Sequence, residues 1–434
     1  MATEKRQPHN TAAHSLRLTP LERAYGLLAR IAFGGAQNWE RLAGASRAEL
    51  RSRRGFVPET EGPTLWFHGA SAGEMSAAVA LDEMLHQRGC AFRSVYTATN
   101  RAGVEYIERT APRTPVATLA PWDVGTTLSR AFARWRPRMI FLIETELWPR
   151  LIYEAYVRRI PIFCVSARIY PRDLKRYRAI RWFFGPTLRR ITRIIAQDEL
   201  ERRRFQQIGA PEATCIAGGN LKYLQLSSAP RPQGVAAELG IPGQPPIIVV
   251  GSLHLDEAGE VLATLRRLKT PDLRIIVAPR QLTAAGPMLE EARRLGWTAR
   301  LRSEAVAAGW QVLIVDSIGE LKRFYSIASC AIVGGGFAKH GGHNPFEPIL
   351  AGAPVVFGPH FENFAAESRA LARATPEARI DTVGELEKLL PRWLCDDAHR
   401  RAVLTLQSAA APDAEAIAGR YADALAPWLS LIAA

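Results

Sequence analysis

The stretch from Gly334 to Phe364, which reads GGGFAKHGGHNPFEPILAGAPVVFGPHFENF, decides the fold of this chain. It follows an apolar run at residues 330–333 that is typical of a buried strand, and a second such run occupies residues 353–357. The glycines at its start permit a tight turn and the close approach of a ligand to the backbone. The stretch is therefore predicted to be a β–loop–α–β unit.

The middle of this stretch has the pattern of a helix start. Asn344 is the predicted N-cap, Pro345 the first helical residue and Glu347 the acidic residue three positions after the cap. Unpaired N–H groups and the helix dipole would then point at one spot. That arrangement predicts an anion site, suited to the phosphate of a nucleotide.

Apolar runs of strand length recur along the rest of the chain and alternate with helical patterns. Helices are predicted at about residues 75–87 and, after a cap at residues 197–198, up to Ile208. This alternation indicates parallel, doubly wound α/β sheets. The predicted strands lie at residues 63–68, 93–97, 138–143, 160–165, 194–196, 247–252, 273–278, 311–315 and 330–333.

The length of 434 residues favours two α/β domains rather than one core. A stretch rich in Ser, Pro and Gly at residues 227–234 marks the predicted linker. We expect two Rossmann-like domains that face each other across a cleft. The predicted segments are a polar leader with a basic, amphipathic helix (1–60), an N-terminal domain (61–226), a C-terminal domain (235–410) and a terminal helix packing back on the first domain (411–434).

The formal net charge of +14 comes mostly from arginine. A partner such as nucleic acid, an anionic membrane surface or a phosphorylated substrate would explain this charge. Simple codon bias would explain it equally well. No finger, RRM or helix-turn-helix signature appears, which argues against nucleic acid. The five cysteines form no CxxC pair, so we expect reduced, buried thiols.

The N-terminal segment has apolar residues at helical spacing from Leu21 to Ile31, interrupted by arginines. This apolar run is well short of the roughly 20 residues that a membrane span requires. It is either a helix on an anionic membrane surface, helped by the arginines at positions 47, 51, 53 and 54, or a helix that packs on the first domain.

Polar clusters follow the apolar runs at the predicted strand ends, where open α/β sheets bind ligands. These clusters contain Glu74, Glu144, Glu146, Arg168, Ser252, His254, Arg280, Glu320 and Asn344. One binding cleft fed by loops of both domains is the simplest interpretation.

At these positions the chain resembles the transferases of 3-deoxy-D-manno-octulosonic acid (Kdo), which are GT-B glycosyltransferases of lipopolysaccharide synthesis. The resemblance extends from about Trp66 to Phe364, and its most specific motifs are ETELWP and HGGHNPFEP. The other shared segments are FHGASAGE (67–74), SARIY (166–170), AQDELERRRFQQIGA (196–210), GNLKY (219–223), GSLHLDE (251–257), APR (278–280), DSIGEL (316–321) and FGPHFENF (357–364).

The resemblance implies an inverting transfer of Kdo from CMP-Kdo to a lipid A precursor. It makes Glu74 the base that accepts the acceptor hydroxyl's proton, and Glu144 and Lys222 groups that stabilise the transition state. Spacing alone favours Glu74 as a helix N-terminal carboxylate, and the resemblance reverses that preference. Glu144 could instead form a salt bridge with Arg168 or another local arginine, and Lys222 could be a solvated loop charge.

For the donor, the resemblance implies contacts from three segments. They contribute Pro279 and Arg280, then Ile318, Gly319 and Glu320, and finally Asn344, Pro345, Phe346 and Glu347. Phe346 is expected in the helix core rather than against the base. Further candidate contacts to donor or acceptor are Ser71, Arg168, Ser252, His254, His340 and His343.

We expect neither a metal ion nor a cofactor. His340 and His343 lie close together in sequence, and so do His254, Asp256 and Glu257, but neither group has the spacing of a known metal motif. The histidines are expected to donate hydrogen bonds to a phosphate or a carboxylate.

The chain also departs from the family pattern. Ser166 replaces the first Asn of NARxS, the segment after Arg280 lacks a His and a Glu–Arg pair, and Leu253 replaces the Thr of GSTH. A paralogue with another CMP-ulosonic acid or acceptor therefore stays open, as do a GT-B sugar-nucleotide epimerase and an inactive, lipid-associated scaffold. We expect a Kdo transferase bound peripherally at the cytoplasmic face of the inner membrane.

Overall fold

The computed structural model describes residues 17–42, 44–111, 113, 115–225, 234–304 and 309–432. Nearly all of the predicted leader and linker lies outside these ranges. The chain divides into two compact units. Unit 1 consists of Met1–Gln225 with Asp413–Ala434, and unit 2 consists of Leu226–Pro412.

Each unit contains a parallel sheet, because alternating strands and helices return every strand in the same direction. The strands are β1 Thr64–Gly69, β2 Arg93–Ala98, β3 Val116–Leu119, β4 Pro137–Ile143, β5 Ile162–Ala167, β6 Arg193–Ala196, β7 Cys215–Ala217, β8 Ile247–Leu253, β9 Arg274–Pro279, β10 Ala299–Leu301, β11 Val312–Ile314, β12 Cys330–Val333 and β13 Val355–Phe357.

The strand orders are those of doubly wound sheets. In the described residues, unit 1 has a seven-stranded sheet, β3-β2-β1-β4-β5-β6-β7, and unit 2 a six-stranded sheet, β10-β11-β9-β8-β12-β13. Both orders reverse direction in the middle of the sheet, which is where such folds bind ligands. The prediction of two parallel α/β sheets is confirmed.

Among the described residues, two helices precede the first strand, and the others lie between or after the strands. They are α1 Pro20–Leu42, α2 Arg47–Arg53, α3 Ala72–Gln87, α4 Arg101–Thr110, α5 Gly125–Trp135, α6 Pro149–Val157, α7 Pro171–Ala179, α8 Arg181–Leu188, α9 Glu199–Gln207, α10 Val235–Glu238, α11 Leu255–Arg266, α12 Ala285–Arg294, α13 Leu321–Tyr325, α14 Phe346–Leu350, α15 Ala365–Ala374, α16 Leu386–Cys395, α17 Asp397–Ala409 and α18 Ala414–Leu429. After β7, a 3-10 turn at Leu221–Gln225 ends the first chain segment of unit 1.

Aromatic side chains fix the register at the centre of the unit 1 sheet. Phe67 of β1 lies directly across from Tyr96 and Phe141 on its two neighbours, with ring centroids 5.1 and 5.2 Å apart. Phe163 continues the row at 5.3 Å, and Trp428 of α18 covers it edge-on. A slip by one residue would turn this row to the other face, so its burial specifies the pairing.

The first helix is longer than its apolar run suggested and packs on unit 1 through polar contacts. Glu22 forms a buried ion pair with Arg190, and the Tyr25 hydroxyl donates to Asp123 Oδ2 at 2.8 Å. Leu27, Leu28 and Ile31 stay exposed. No helix in the described ranges is both long and apolar enough to cross a membrane.

The cysteines are free, but the expectation that all are buried is wrong. Cys164, Cys215 and Cys330 are buried in strands, whereas Cys90 is half-buried and Cys395 is exposed at the end of α16. Spacing alone could not distinguish a strand thiol from one at a helix end.

Candidate functional site

Glu74 lies where β1 gives way to a helix. The helix α3 begins at Ala72, three residues earlier than predicted, so Glu74 is in its first turn and Ser71 is the N-cap residue. The Glu74 carboxylate turns back and accepts a hydrogen bond from the Ala70 N–H. The strand-to-helix turn therefore holds the carboxylate at the carboxyl end of the sheet.

Gly69 packs closely against the start of α3. A β-carbon at Gly69 would lie 3.2 Å from Glu74 Oε2 and 2.5 Å from Met75 Cε. A larger residue would displace the Met75 side chain and crowd the Glu74 carboxylate. The glycine in FHGASAGE thus leaves room for the glutamate that ends this segment.

Glu144 and Lys222 form an ion pair beside Glu74. Lys222 Nζ lies 2.7 Å from Glu144 Oε1, and the Glu144 side chain is buried. A β-carbon at Gly73, in the turn before Glu74, would lie 3.9 Å from Lys222 Nζ. The structure therefore brings together the three residues that the sequence proposed as catalytic, and Glu144 pairs with Lys222 rather than with Arg168.

Glu144 adopts an uncommon backbone conformation. Its φ is +54°, and Ser166 and Ser252 at the ends of β5 and β8 have φ values of +50° and +54°. Non-glycine residues rarely occupy this left-handed region, and where they do the strain is often associated with a functional site. Glu144 and Ser252, two of the residues singled out at strand ends, share this feature with Ser166.

Burial makes Glu74 a weaker acid than an ordinary glutamate. The pKa of Glu74 is raised to about 8. Loss of solvation is the largest cause and the charges of Glu144 and Glu146 act in the same direction, whereas the Ala70 hydrogen bond and Lys222 act against them. Burial lowers the pKa of Lys222, but its pairing with Glu144 outweighs that effect and the net direction is upward. Lys222 is therefore a cation beside a carboxyl that can exchange a proton near neutral pH.

Glu146 belongs to a second network. Its Oε2 accepts the Trp148 indole N–H at 2.9 Å and lies 3.4 Å from His68 Nε2. The other ring nitrogen of buried His68 is 2.9 Å from Thr97 Oγ1. This network holds Glu146 against the sheet, and sequence reasoning missed His68 and Thr97 because both lie inside ordinary strand patterns.

Ser71 and Arg168 come shortly after the ends of β1 and β5. Arg168 is buried, with its guanidinium 4.3 Å from the centre of the Tyr170 ring. Its carbonyl oxygen accepts a hydrogen bond from the Thr145 hydroxyl, next to Glu144 in the chain. Arg168 thus ties the loop after β5 to the loop that carries Glu144.

The turn that carries Lys222 is held by α18. The Tyr421 hydroxyl donates to the Gly219 carbonyl at 3.0 Å and accepts the Ser166 N–H at 2.8 Å, while Arg420 Nε donates to the Gly218 carbonyl at 2.9 Å. Asn220 Oδ1 accepts the Lys222 N–H at 3.0 Å. Sequence reasoning missed Tyr421, since it lies far along the chain from every motif that was singled out.

Unit 2 has its own pocket at the end of its sheet. His254, Asp256, Arg280 and Gln281 contribute to the lining of this pocket, which has a volume of about 530 Å³. The Arg280 N–H donates to the Leu253 carbonyl at 2.8 Å, so the loops after β8 and β9 are joined at its floor. Pro279 is the last residue of β9, and the Arg280 side chain is exposed.

The histidines gather at this pocket. The rings of His254 and His340 stack at 3.8 Å, and His254 Nε2 lies 3.0 Å from His343 Nε2. Burial lowers the pKa of His343 to about 4, with Arg280 and the neighbouring imidazoles adding to the effect. Burial and His340 also lower the pKa of His254. His254 and His343 are therefore expected to be neutral at neutral pH.

Buried Glu257 connects the two segments that carry these histidines. Its carboxylate accepts the His254 N–H at 3.1 Å and the N–H groups of Gly335, Phe337 and Ala338 at 2.7, 2.9 and 3.0 Å. The first contact lies at the start of α11 and the others in the loop after β12. Glu257 therefore fixes the glycine loop against the helix, a role that the sequence did not reveal.

The helix after the glycine loop begins later than predicted. Helix α14 starts at Phe346, with Pro345 in the cap position, and Asn344 Oδ1 accepts the Phe346 N–H at 3.1 Å. The N-cap position is therefore occupied by Pro345, whose backbone angles are helical, and not by Asn344 as predicted. Asn344 precedes it, and its side chain still accepts the first N–H of the helix. Phe346 is buried, as expected for a core residue, and Glu347 lies in the first turn.

The third predicted donor segment precedes α13. Ile318 is 70 % exposed, Gly319 has a φ of +92°, and Glu320 lies 3.2 Å from Arg302 Nη2. The Ser317 hydroxyl also donates to Glu320. An exposed apolar side chain beside a fixed carboxylate is suited to a nucleoside, and Arg302 is the residue that sequence reasoning missed here.

Two solved structures share this fold. A UDP-N-acetylglucosamine 2-epimerase has a TM-score of 0.60 at 13% identity, covering 84% of this chain and 96% of that one. The Anabaena protein Alr3699/HepE, solved with UDP and glucose, has a TM-score of 0.56 at 14% identity, covering 84% and 99%. The two parallel sheets and these neighbours show the GT-B fold.

Sequence relatives narrow the class to one family. Residues 48–225 match the family model described as 3-Deoxy-D-manno-octulosonic-acid transferase (kdotransferase). The Bordetella pertussis 3-deoxy-D-manno-octulosonic acid transferase is 31% identical, covering 90% of this chain and 92% of the relative. The Haemophilus influenzae transferase of the same name is 29% identical, covering 78% and 81%. This chain belongs to the Kdo transferase family of glycosyltransferases.

Proposed function

We propose that this enzyme moves Kdo from CMP-Kdo to a lipid A precursor, with inversion at the anomeric carbon, during lipopolysaccharide synthesis. The observation that carries the proposal is the Glu74 carboxyl, whose pKa is raised to about 8, beside the ion pair of Glu144 and Lys222. A base with a pKa near the working pH accepts a proton most effectively.

The chemistry assigns one task to each group of unit 1. The acceptor hydroxyl attacks the anomeric carbon while Glu74 takes its proton, and the bond to the CMP phosphate breaks. Lys222 supplies a fixed positive charge that makes the ionised form of Glu74 accessible despite Glu144 and Glu146. Glu144 in turn holds the ammonium in place at 2.7 Å. No step in this scheme requires a metal ion.

The donor is proposed to bind to unit 2. Arg280 offers a fork of N–H groups to the phosphate, and its exposed side chain borders the 530 Å³ pocket. Ile318 and Gly319 are proposed to contact the base and Glu320 the ribose, with Asn344, Pro345 and Glu347 at the phosphate and ribose. Ser252, His254, His340 and His343 would add hydrogen bonds to the phosphate or the Kdo carboxylate.

The acceptor and the membrane are proposed to contact unit 1. The exposed side chains of Leu27, Leu28 and Ile31 form an apolar strip along α1. Next to it, Arg30, Arg130 and Arg150 line a pocket of about 420 Å³. Apolar side chains beside arginines suit a lipid with a phosphorylated head group, so we propose peripheral binding at the cytoplasmic face of the inner membrane.

The test is transfer from CMP-Kdo to a tetraacyl disaccharide bisphosphate acceptor, followed by mass spectrometry. The wild-type protein should give a product heavier by one or more Kdo units, with kcat/KM rising through about pH 8 because Glu74 must ionise. Glu74→Gln should lose about 10²- to 10⁴-fold in kcat and keep CMP affinity. Glu108→Gln, at an exposed carboxylate of α4, is the matched control.

Arg280→Ala separates donor binding from catalysis. Loss of the charged fork should weaken CMP binding, by about 1.5–3 kcal/mol for a charged hydrogen bond, while the acid–base behaviour of Glu74 is unchanged. CMP binding without any Kdo product would instead favour a relative that uses another CMP-ulosonic acid or another acceptor. Full activity in Glu74→Gln would contradict the assignment of the base.

A further inference from the structure

The loop of residues 316–320, between β11 and α13, is held at both ends by the segment that follows β10. At its first end, the Ser303 N–H donates to Asp316 Oδ1 at 3.0 Å, and the Ser303 hydroxyl donates to the same carboxylate. At its second end, Arg302 Nη2 donates to Glu320 Oε1 at 3.2 Å. Two consecutive residues therefore fix the loop that is proposed to contact the nucleoside.

Arg302 is anchored on its other side by α10. Its Nη2 atom also donates to a carboxylate oxygen of Glu238, and its backbone N–H donates to the Ile314 carbonyl at 2.8 Å. Arg323 Nη2 donates to Glu238 Oε2 at 2.5 Å, and Arg323 Nη1 lies 3.6 Å from Glu320 Oε1. The Arg302 side chain is 19 % exposed, against 41 % for Arg323. Two carboxylates therefore fix the orientation of the more buried arginine.

The Glu320 carboxylate can accept further hydrogen bonds. Its Oε1 accepts from Arg302, and its Oε2 accepts from the Ser317 hydroxyl. An ionised carboxylate has about four accepting positions, so both oxygens can still receive a donor. Two neighbouring hydroxyl groups, as on a ribose, match two oxygens of one carboxylate. The exposed Ile318 side chain in the same loop offers apolar surface to the rest of a nucleoside.

We propose that Arg302 is a positioning residue that makes this site prefer a ribonucleotide to its 2′-deoxy analogue. The guanidinium, held by Glu238, keeps the Glu320 carboxylate in the orientation in which its two oxygens meet both ribose hydroxyls. A deoxyribose lacks one of these hydroxyls and leaves one carboxylate oxygen without its partner, which costs binding free energy. Because the ribose contact of Glu320 belongs to the proposed function, the role of Arg302 rests on it.

The test is calorimetric titration of the full-length protein with CMP and with 2′-deoxy-CMP. The wild type should bind CMP about tenfold or more tightly, because a hydrogen bond to a charged group contributes about that factor. Arg302→Met should lose most of this preference, mainly through weaker binding of CMP. Arg323 remains beside both carboxylates in this variant, so the fold should survive, and the melting temperature checks it. Arg294→Met removes a surface ion pair with Glu291 on α12 and should keep the full preference.

Two further variants separate positioning from a structural role. Arg302→Lys keeps a cation between the carboxylates but not the planar fork, so its preference should be intermediate. Glu320→Gln should lose the preference by itself, and adding Arg302→Met to it should not change the ratio of the two affinities again. If Arg302→Met does not fold, Arg302→Lys carries the test, and a full preference in that variant would overturn the role of the fork. Equal weakening of both nucleotides in Arg302→Met would mean that the arginine only supports the loop.

The same titrations distinguish a failure of this inference from a failure of the proposed function. A preference for CMP that persists unchanged in every Arg302 variant would overturn the role of Arg302 and leave the donor site standing. Equal binding of both nucleotides by the wild type would remove the ribose contact of Glu320, and the role of Arg302 with it, while transfer of Kdo could still be observed. A wild type that binds neither nucleotide would contradict the proposed donor site itself.

Discussion

Glu74 should make the stability of this protein depend on pH. Its pKa is about 8 in the folded chain against an ordinary 4.5, so folding favours the protonated form. The stabilisation is complete below the unfolded pKa and is lost as pH rises through the folded one. Glu74→Gln cannot ionise, so its melting temperature relative to the wild type should rise between about pH 5 and pH 9.

Differential scanning fluorimetry across this range measures the effect. Glu108→Gln, at an exposed position of α4, should show no such trend. A constant difference between Glu74→Gln and the wild type at every pH would mean that the folded protein does not raise the pKa of Glu74.

The ion pair of Lys222 and Glu144 should behave as one unit. Lys222→Met leaves the buried Glu144 carboxylate without its cation and should cost about 1–3 kcal/mol of unfolding free energy. The double variant Lys222→Met with Glu144→Gln removes both charges and should regain much of that loss, while activity stays low in both. Denaturant unfolding measures the stability of the wild type and of the single and double variants, and the transfer assay measures their activity. Strictly additive losses in stability would contradict the coupling of the two residues.

At this scale the sequence predicted which residues meet but not their chemical state. The positions of Glu74, Glu144 and Lys222 follow from strand ends and from the resemblance. The raised pKa of Glu74 depends on burial and on carboxylates from another strand, which a local pattern does not contain. The same holds for Glu257, an ordinary helix-start glutamate in sequence that fixes a loop from across the sheet.

Among the elements, α18 is predicted to support catalysis from a distance. Tyr421 bonds to Gly219 and Ser166, which flank the turn of Lys222 and the end of β5. Tyr421→Phe would leave a buried N–H and a carbonyl unsatisfied, so we expect a loss of about 1–3 kcal/mol in stability and a lower kcat. CMP affinity should be unchanged because the substitution lies in unit 1.

Calorimetry, transfer rates and CMP titration measure these three quantities. Asp423→Asn, at an exposed position of the same helix, serves as the control. The Tyr421→Phe enzyme could be less stable and still have a normal kcat at a temperature where it is fully folded. That result would mean that Tyr421 has only a structural role.

Strands were predictable where they are apolar and buried on both faces. The apolar runs that became β1, β4, β8, β9 and β12 stood out, and β12 has the predicted bounds. The sequence did not predict β3, β7 or β10, which have three or four residues with half-buried positions. Such short strands form because a neighbouring strand offers hydrogen bonds, which is a tertiary effect.

At the scale of the whole molecule, unit 1 consists of two segments that are far apart in the chain. Residues after position 412 return to it, and Trp428 covers Phe163 of β5 with ring centroids 5.2 Å apart. Two apolar rings far apart in sequence give no pairwise signal in a single chain. The C-terminal helix was expected to pack back, but the residues through which it contacts β5 and the Lys222 turn could only come from the structure.

The net charge of +14 and the apolar strip of α1 together predict binding to anionic membranes. Leu28 and Ile31 are 65 % and 67 % exposed, so the double substitution Leu28→Glu with Ile31→Glu should leave the fold intact. Each such side chain contributes about 1.5–3 kcal/mol when fully buried in an apolar phase. The double variant should therefore bind phosphatidylglycerol-containing vesicles at least about tenfold more weakly.

Vesicle sedimentation at low and high salt measures this effect and separates its two sources. Salt screens the arginines but not the apolar strip, so the wild type should retain partial binding at high salt and the double variant almost none. Leu406→Glu, at an exposed leucine of α17 in unit 2, should bind as the wild type does. If the α1 variant also binds normally, the arginines alone attract the membrane, and the exposed leucines and isoleucine of α1 must serve another contact.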